Sequence, residues 1–239
     1  MSSSKIKSKF LRPQVEDFER RRYRGLDQRI VNWKERRAVR HCLRRILDGC
    51  GPFENGGPVV LDAPCGYGRM FETAAAAAGP EGLLLCADLS EAMVVRTMER
   101  ALSSGGDTAR SAPDRGGPQT AGLVADITAG LPLKPGAADV VLSLRLFHHL
   151  HRAEDRASAL AEFFRVARCG AVVSFYRENR LHALQRKLRA RIKGTRYEVR
   201  MLAGRMFETE AEAAGFRIVA VMALFRGIHA QRYAVLEKR

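Results

Sequence analysis

From Asp27 to Leu47 the apolar residues Ile30, Trp33, Ala38, Val39, Cys42, Leu43, Ile46 and Leu47 recur every three to four positions. That spacing predicts an amphipathic helix, with Arg36, Arg37, Arg40, Arg44 and Arg45 left for the wet side. The turn-rich stretch Gly49 to Pro58 ends it. The pattern then changes period. Val59–Leu61, Leu83–Ala87, Leu123–Ala125, Asp139–Leu144 and Ala171–Phe175 are short apolar runs of strand length. Between them lie helical patterns over Arg69–Ala78, Glu91–Leu102 (with Ser90 able to cap it) and Ala153–Arg168. A helix over Glu208–Ala214, stopped by Gly215, and strands over Arg217–Phe225 and Gln231–Leu236 close the chain. Strands alternating with helices predict a mostly parallel sheet with both faces covered. Residues 1–24 read as a polar arm and Ser103–Thr120 as a loop without assigned chemistry.

Composition bounds this picture. At 239 residues, 46% hydrophobic and 28% charged, the chain suits one α/β domain with modest extensions. No apolar run is long enough to cross a bilayer. The start, Met1-Ser2-Ser3-Ser4-Lys5, leads into charged sequence rather than a secretory signal. Five cysteines (Cys42, Cys50, Cys65, Cys86 and Cys169) form no CxxC pair. They predict no metal site and no disulfide framework, and so a reducing, cytoplasmic setting.

The net charge of +15 is unevenly placed. Residues 1–48 hold 15 Lys/Arg against 6 Asp/Glu, and residues 177–205 hold 10 against 2. The body of the chain is close to neutral, so two segments carry the basicity. An Arg-rich composition bias is the plain alternative.

The strongest local signal is Val59-Val60-Leu61-Asp62-Ala63-Pro64-Cys65-Gly66-Tyr67-Gly68-Arg69. A buried strand ends on an acid and enters a helix through a glycine-bearing turn, where a backbone can approach a ligand closely. The dinucleotide fingerprint G-x-G-x-x-G is not met, because position 71 is Phe. Asp62 is also better placed for a cationic ligand group than for a pyrophosphate. Asp88 follows the second strand, where a carboxylate can accept both ribose hydroxyls. Asp126-Ile127 follows the third, a carboxylate beside an aliphatic face that suits an adenine. Each Asp alone also fits a loop or cap residue. Three of them at successive strand ends mark the edge where open α/β sheets bind ligands.

In this order and spacing, VVLDAPCGYGRM, LLLCADLSEAM, LVADITAGLPL and ADVVLSLRLFHHL resemble the class I S-adenosylmethionine-dependent methyltransferases, type 11/25-like. The similarity extends through Phe163–Arg168 and Phe207–Phe216, covering about residues 55–239. It departs at Pro64, where the family most often has a glycine. The resemblance implies a Rossmann-like seven-stranded sheet of order 3-2-1-4-5-7-6 with strand 7 antiparallel. Residues 1–54 would form a basic arm and capping helix, and residues 177–205 a basic insertion after strand five. It implies S-adenosyl-L-methionine as cofactor. Asp62, Cys65, Gly66 and Gly68 would hold the methionine end, and Asp88 the ribose. Leu89 and Met93 would pack near the adenine, Asp126 and Ile127 would bind its edge and face, and Ser143 or Leu144 would floor the sulfonium.

His148 and His149 lie past strand four, near the expected acceptor, and are the candidate catalytic residues; a loop-shaping role is the alternative. Arg145, Tyr176 and Tyr23 are further pocket candidates. Leu181, Leu184, Leu188 and Ile192 share one helical face among basic residues, the pattern of a membrane-surface helix or of an ordinary docked one. The expected acceptor is a small molecule of phenol, quinone, lipid or natural-product type, presented at an anionic membrane surface by segments 27–48 and 177–205. RNA is the second acceptor reading, although the basic segments lack interleaved aromatics. A non-catalytic cofactor-binding or membrane-binding protein is the third.

Overall fold

The computed structural model describes residues 26–54, 56–103, 117–177, 201–224 and 230–238. The polar arm with Tyr23 and the amphipathic pattern Leu181–Ile192 lie outside the described residues. In chain order the elements are α1 (Leu26–Asp48), β1 (Val59–Asp62), α2 (Phe71–Ala78), β2 (Leu83–Asp88), α3 (Glu91–Ser103), β3 (Gln119–Val124) and β4 (Ala138–Ser143). They continue with α4 (Ala153–Val166), β5 (Ala167–Tyr176), α5 (Met206–Ala213), β6 (Phe216–Ala223) and β7 (Gln231–Lys238).

The seven strands form one sheet of order β3-β2-β1-β4-β5-β7-β6, with β7 antiparallel to both β5 and β6. The expected Rossmann-like order is therefore the observed one. Strands buried on both faces explain the near-continuous apolar runs. In β4, Val141 packs toward α4 and α5 with Leu160, Phe163, Phe207 and Ala211. Its neighbours Val140 and Leu142 pack on the other face with Val39, Leu43 and Ile46 of α1 and Phe71 and Ala74 of α2. The strand order reverses between β1 and β4, so the two loops leaving their carboxyl ends diverge and open a crevice there.

Four expectations need correcting. Ile30 and Trp33 are not on the buried face of α1: they are 56% and 60% exposed. The inward face is Val39, Cys42, Leu43 and Ile46, and one turn before Val39 it carries the fully buried Glu35. Arg37, Arg40, Arg44 and Arg45 are exposed as expected, whereas Arg36 is half-buried and pairs with Glu72 at 3.1 Å. The second helix begins at Phe71, because Arg69 and Met70 still belong to the turn. Ala167 and Arg168 are strand rather than helix end, and β5 starts at Ala167 rather than Ala171, since Ala167 and Gly170 already pair with β4.

The fourth correction concerns the cysteines. Cys50 and Cys169 form a disulfide across 119 residues, joining the segment after α1 to the start of β5. Arg168 braces this corner, with Nε 2.5 Å from Asp139 Oδ1 and Nη1 donating to the Cys50 carbonyl at 3.2 Å. Local spacing cannot reveal a pair assembled by a strand crossing. The two sulfurs lie beside Asp139, and the disulfide leaves neither as a thiolate ligand. The cysteines thus give no ground for a reducing compartment. No helix among the described residues is long and apolar enough to cross a membrane.

Candidate active site

The turn after β1 is fixed from both sides. Ala63 N–H donates to the Leu142 carbonyl at 2.9 Å and Cys65 N–H to the Ala87 carbonyl at 2.8 Å. Pro64, which has no N–H, thus sits between two donors committed to β4 and β2. Gly66 and Gly68 have φ of 56° and 78°, the left-handed region that side chains avoid. From α3, Thr97 Oγ1 donates to the Gly66 carbonyl at 2.8 Å, and Arg100 reaches the carbonyls of Tyr67 and Gly68 at 3.4 and 3.3 Å. Cys65 is buried and its thiol is pushed up by that burial, so it contributes its backbone rather than a thiolate.

Asp62 and Asp88 lie at the ends of β1 and β2, and both are buried. Burial pushes the Asp62 carboxyl up to about 8, against the pull of Arg69 and with the help of Asp88. Burial also raises Asp88, against backbone hydrogen bonds from Ser90, Gly66 and Leu89. Gly66 N–H donates to Asp88 Oδ2 at 2.9 Å and Ser90 N–H to Oδ1 at 3.0 Å, so the glycine turn and the β2 carboxylate are one unit. Leu89 and Met93 flank it, both half-buried.

Asp126 Oδ1 accepts from Thr128 N–H at 3.0 Å and from Thr128 Oγ1 at 2.7 Å, the local turn its alternative reading described. Ile127 is buried in the core. Ser143 ends β4 fully buried, and its hydroxyl has no hydrogen-bond partner among the described residues. Leu144 belongs to the core on the α1 face.

Past β4, the His148 and His149 rings lie 3.8 Å apart, and Tyr176 meets His148 edge-on at 5.1 Å. Both histidines are half-buried. Arg145, between β4 and these rings, has φ of 62°, and its N–H donates to Ser174 Oγ at 2.8 Å. Its guanidinium reaches Glu35, 3.1 Å away.

Sequence reasoning missed Glu35. Its carboxylate accepts from Arg69 at 2.5 and 3.1 Å, from Gln231 Nε2 at 3.0 Å and from Tyr233 Oη at 2.7 Å. Burial alone would raise its pKa, but the charges of Arg69 and Arg145 and hydrogen bonds from Arg69 and Tyr233 hold it at about 2. A glutamate standing alone on the inward stripe of an otherwise apolar face was the available signal.

The residues fit a cationic nucleoside cofactor. Two buried carboxylates with raised pKa values stand on successive strands, beside a turn that only glycine conformations allow, with an orphaned buried hydroxyl on the next strand. Residues 60–170 match the model of a methyltransferase domain family. No curated protein sequence matches the chain. Among solved structures it is similar to magnesium protoporphyrin IX methyltransferase from Synechocystis PCC 6803 with bound S-adenosylhomocysteine. That likeness has 19% identity and a TM-score of 0.72, over 99% of each chain. A methyltransferase from Aquifex aeolicus is also similar, with 18% identity and a TM-score of 0.54 over 100% of both chains. The pyocyanin biosynthetic protein PhzM shares 14% identity and a TM-score of 0.57, over 84% of this chain and 54% of its own. Motif set, sheet order and the match over residues 60–170 agree and support a methyltransferase domain there, within the fold that the resemblance to class I S-adenosylmethionine-dependent methyltransferases implies.

Proposed function

We propose that this methyltransferase acts on a small-molecule acceptor held between the loop after β4 and the N-terminal half of α1. The observation that carries this is the placement of α1. Through Glu35 it is tied to the turn after β1, the loop after β4 and the start of β7, so it crosses the carboxyl edge of the sheet. A helix in that position lies over the acceptor side, an arrangement that suits a small acceptor. The exposed Arg37, Arg40 and Arg44 lie on the face of α1 opposite Glu35, so among the described residues they build no phosphate track into the site, which disfavours RNA. The names of two similar structures, a magnesium protoporphyrin IX methyltransferase and a pyocyanin biosynthetic protein, are in keeping with a small acceptor.

When bound, S-adenosylmethionine supplies a methyl group already activated on a sulfonium. The chain's task is to bind, align and exclude water. Asp62, with the backbone of Cys65, Gly66 and Gly68, would hold the methionine end, and Asp88 would take the ribose hydroxyls. Leu89, Met93, Asp126 and Ile127 would hold the adenine, and Ser143 would stand on the sulfonium side. Alignment of acceptor and methyl is worth up to about 7–11 kcal/mol. Where the acceptor loses a proton, His148 or His149 takes it, a contribution of roughly 10²–10⁴-fold.

The Asp62 carboxyl gives this reading a pH signature. Below about pH 8 it is protonated in the free protein, and pairing with the cofactor's ammonium requires it to ionise. Binding therefore releases a proton, and affinity for S-adenosylhomocysteine should rise up to about tenfold per pH unit toward 8, then level. Calorimetry in buffers of different ionisation enthalpy measures the released proton. A flat profile contradicts the role, and Asp62→Asn should flatten it.

Methyl-labelled cofactor incubated with the chain and a cell extract, then fractionated, tests the acceptor class. Label is expected in the small-molecule fraction, and label confined to RNA or protein would reverse the proposal. A second reading, an acceptor presented at an anionic membrane surface, is favoured by the outward stripe Ile30, Trp33, Arg37, Arg40 and Arg44. Label in the lipid fraction reports it.

A further inference from the structure

Of residues 30–38 of α1, one side chain is fully buried, and it is the carboxylate of Glu35. Farther along, Val39, Cys42, Leu43 and Ile46 are buried in the core, so apolar packing holds the C-terminal half of the helix whatever happens at Glu35. Between residues 30 and 38, where Ile30 and Trp33 face outward, the fully buried contacts are the polar ones of Glu35.

Those contacts converge from three places. Arg69 directly follows the glycine turn and grips Glu35 with both Nη atoms, at 2.5 and 3.1 Å. Arg36, the neighbour of Glu35 on α1, closes on the same residue from behind, donating to the Arg69 carbonyl at 3.1 Å. Arg145 extends from the loop after β4 to 3.1 Å, and Gln231 and Tyr233 of β7 complete the set at 3.0 and 2.7 Å. The left-handed backbone at Arg145, φ 62°, is one that an arginine holds only where its surroundings impose it. Here they are Ser174 Oγ on its N–H and Glu35 on its guanidinium.

From this convergence we propose that Glu35 is a positioning residue for methyl transfer, locking the cofactor turn and the loop after β4 into one arrangement beneath α1. The inference rests on the reading of the β1 turn as the cofactor cradle. Removing the carboxylate charge takes away the anion that Arg69 and Arg145 share, so the turn and the loop shift rather than lose one bond.

Glu35→Gln keeps the volume and one acceptor oxygen but not the charge. In the full chain its Kd for S-adenosylhomocysteine should rise roughly 10–100-fold, the size of effect that losing an outer-shell partner has at metal sites. Arg69→Gln should act similarly. The double variant should lie within about twofold of the worse single one, because both act through one contact. A merely structural role would instead lower the urea midpoint while the folded fraction bound the ligand normally. Wild-type affinity in folded Glu35→Gln, or losses in affinity that simply add, overturns the proposal. If Glu35→Gln does not fold, Glu35→Asp and Tyr233→Phe carry the test. Each should weaken binding at least threefold, and normal affinity in both overturns it. A wild-type chain that takes up no S-adenosylhomocysteine overturns the cofactor reading itself, and this inference with it.

Discussion

Replacing Asp88 by alanine is expected to weaken S-adenosylhomocysteine binding by roughly 10²–10³-fold, or about 3–4 kcal/mol, the loss of two hydrogen bonds to a charged acceptor. The effect is large because the carboxylate serves two structures at once. Toward the ligand it offers both oxygens to the ribose. Toward the protein the same oxygens hold Gly66 N–H at 2.9 Å and Ser90 N–H at 3.0 Å. Alanine therefore removes the ribose acceptor and loosens the glycine turn. Asp88→Asn keeps one oxygen and should recover part of the affinity. Calorimetric titration of the two variants beside the wild type measures the difference, and equal affinities would remove Asp88 from the site.

The second large effect falls on stability. Arg156 of α4 is almost fully buried, and its guanidinium contacts Glu210 of α5 through Nε at 2.9 and 3.2 Å and Nη2 at 2.6 Å. Its Nη1 donates to the carbonyls of Leu150 and His151 at 3.1 and 3.3 Å. One side chain thus ties α4 to α5 and fixes the end of the loop that carries His148 and His149. Arg156→Ala strands a half-buried carboxylate and two carbonyls, and should lower unfolding free energy by up to about 3–5 kcal/mol. Adding Glu210→Gln should restore part of that loss, because the stranded charge is gone. Urea denaturation gives both numbers, and a change below about 1 kcal/mol for Arg156→Ala would show that the pair contributes little.

The carboxyl-edge carboxylates were legible because each is a local event. An apolar run stops and an acid follows, as at Leu61-Asp62 and Ala87-Asp88, and the glycine turn lies on one stretch of chain. The sheet order followed from family resemblance, and the alternation of strands and helices pointed the same way. What escaped was long-range. Glu35 reads as a polar residue in a helix until its partners, 34, 110, 196 and 198 residues away, are brought to it. The Cys50–Cys169 pair is separated by 119 residues and shows no spacing motif. The early start of β5 was hidden because Ala167-Arg168-Cys169-Gly170 has the composition of a helix end. Its pairing with β4, not its propensity, makes it strand. Ile30 and Trp33 share a face with each other, but Trp33 lies about half a turn around α1 from Cys42 and the packed stripe, so both point outward.

The most direct measurement of the central claim is calorimetric titration of the wild-type chain with S-adenosylhomocysteine at pH 8. The structure predicts saturable uptake at one site per chain, built on Asp62, Gly66 and Asp88. Absence of binding at millimolar ligand would contradict it, because these buried carboxylates and this glycine turn would then serve no cofactor.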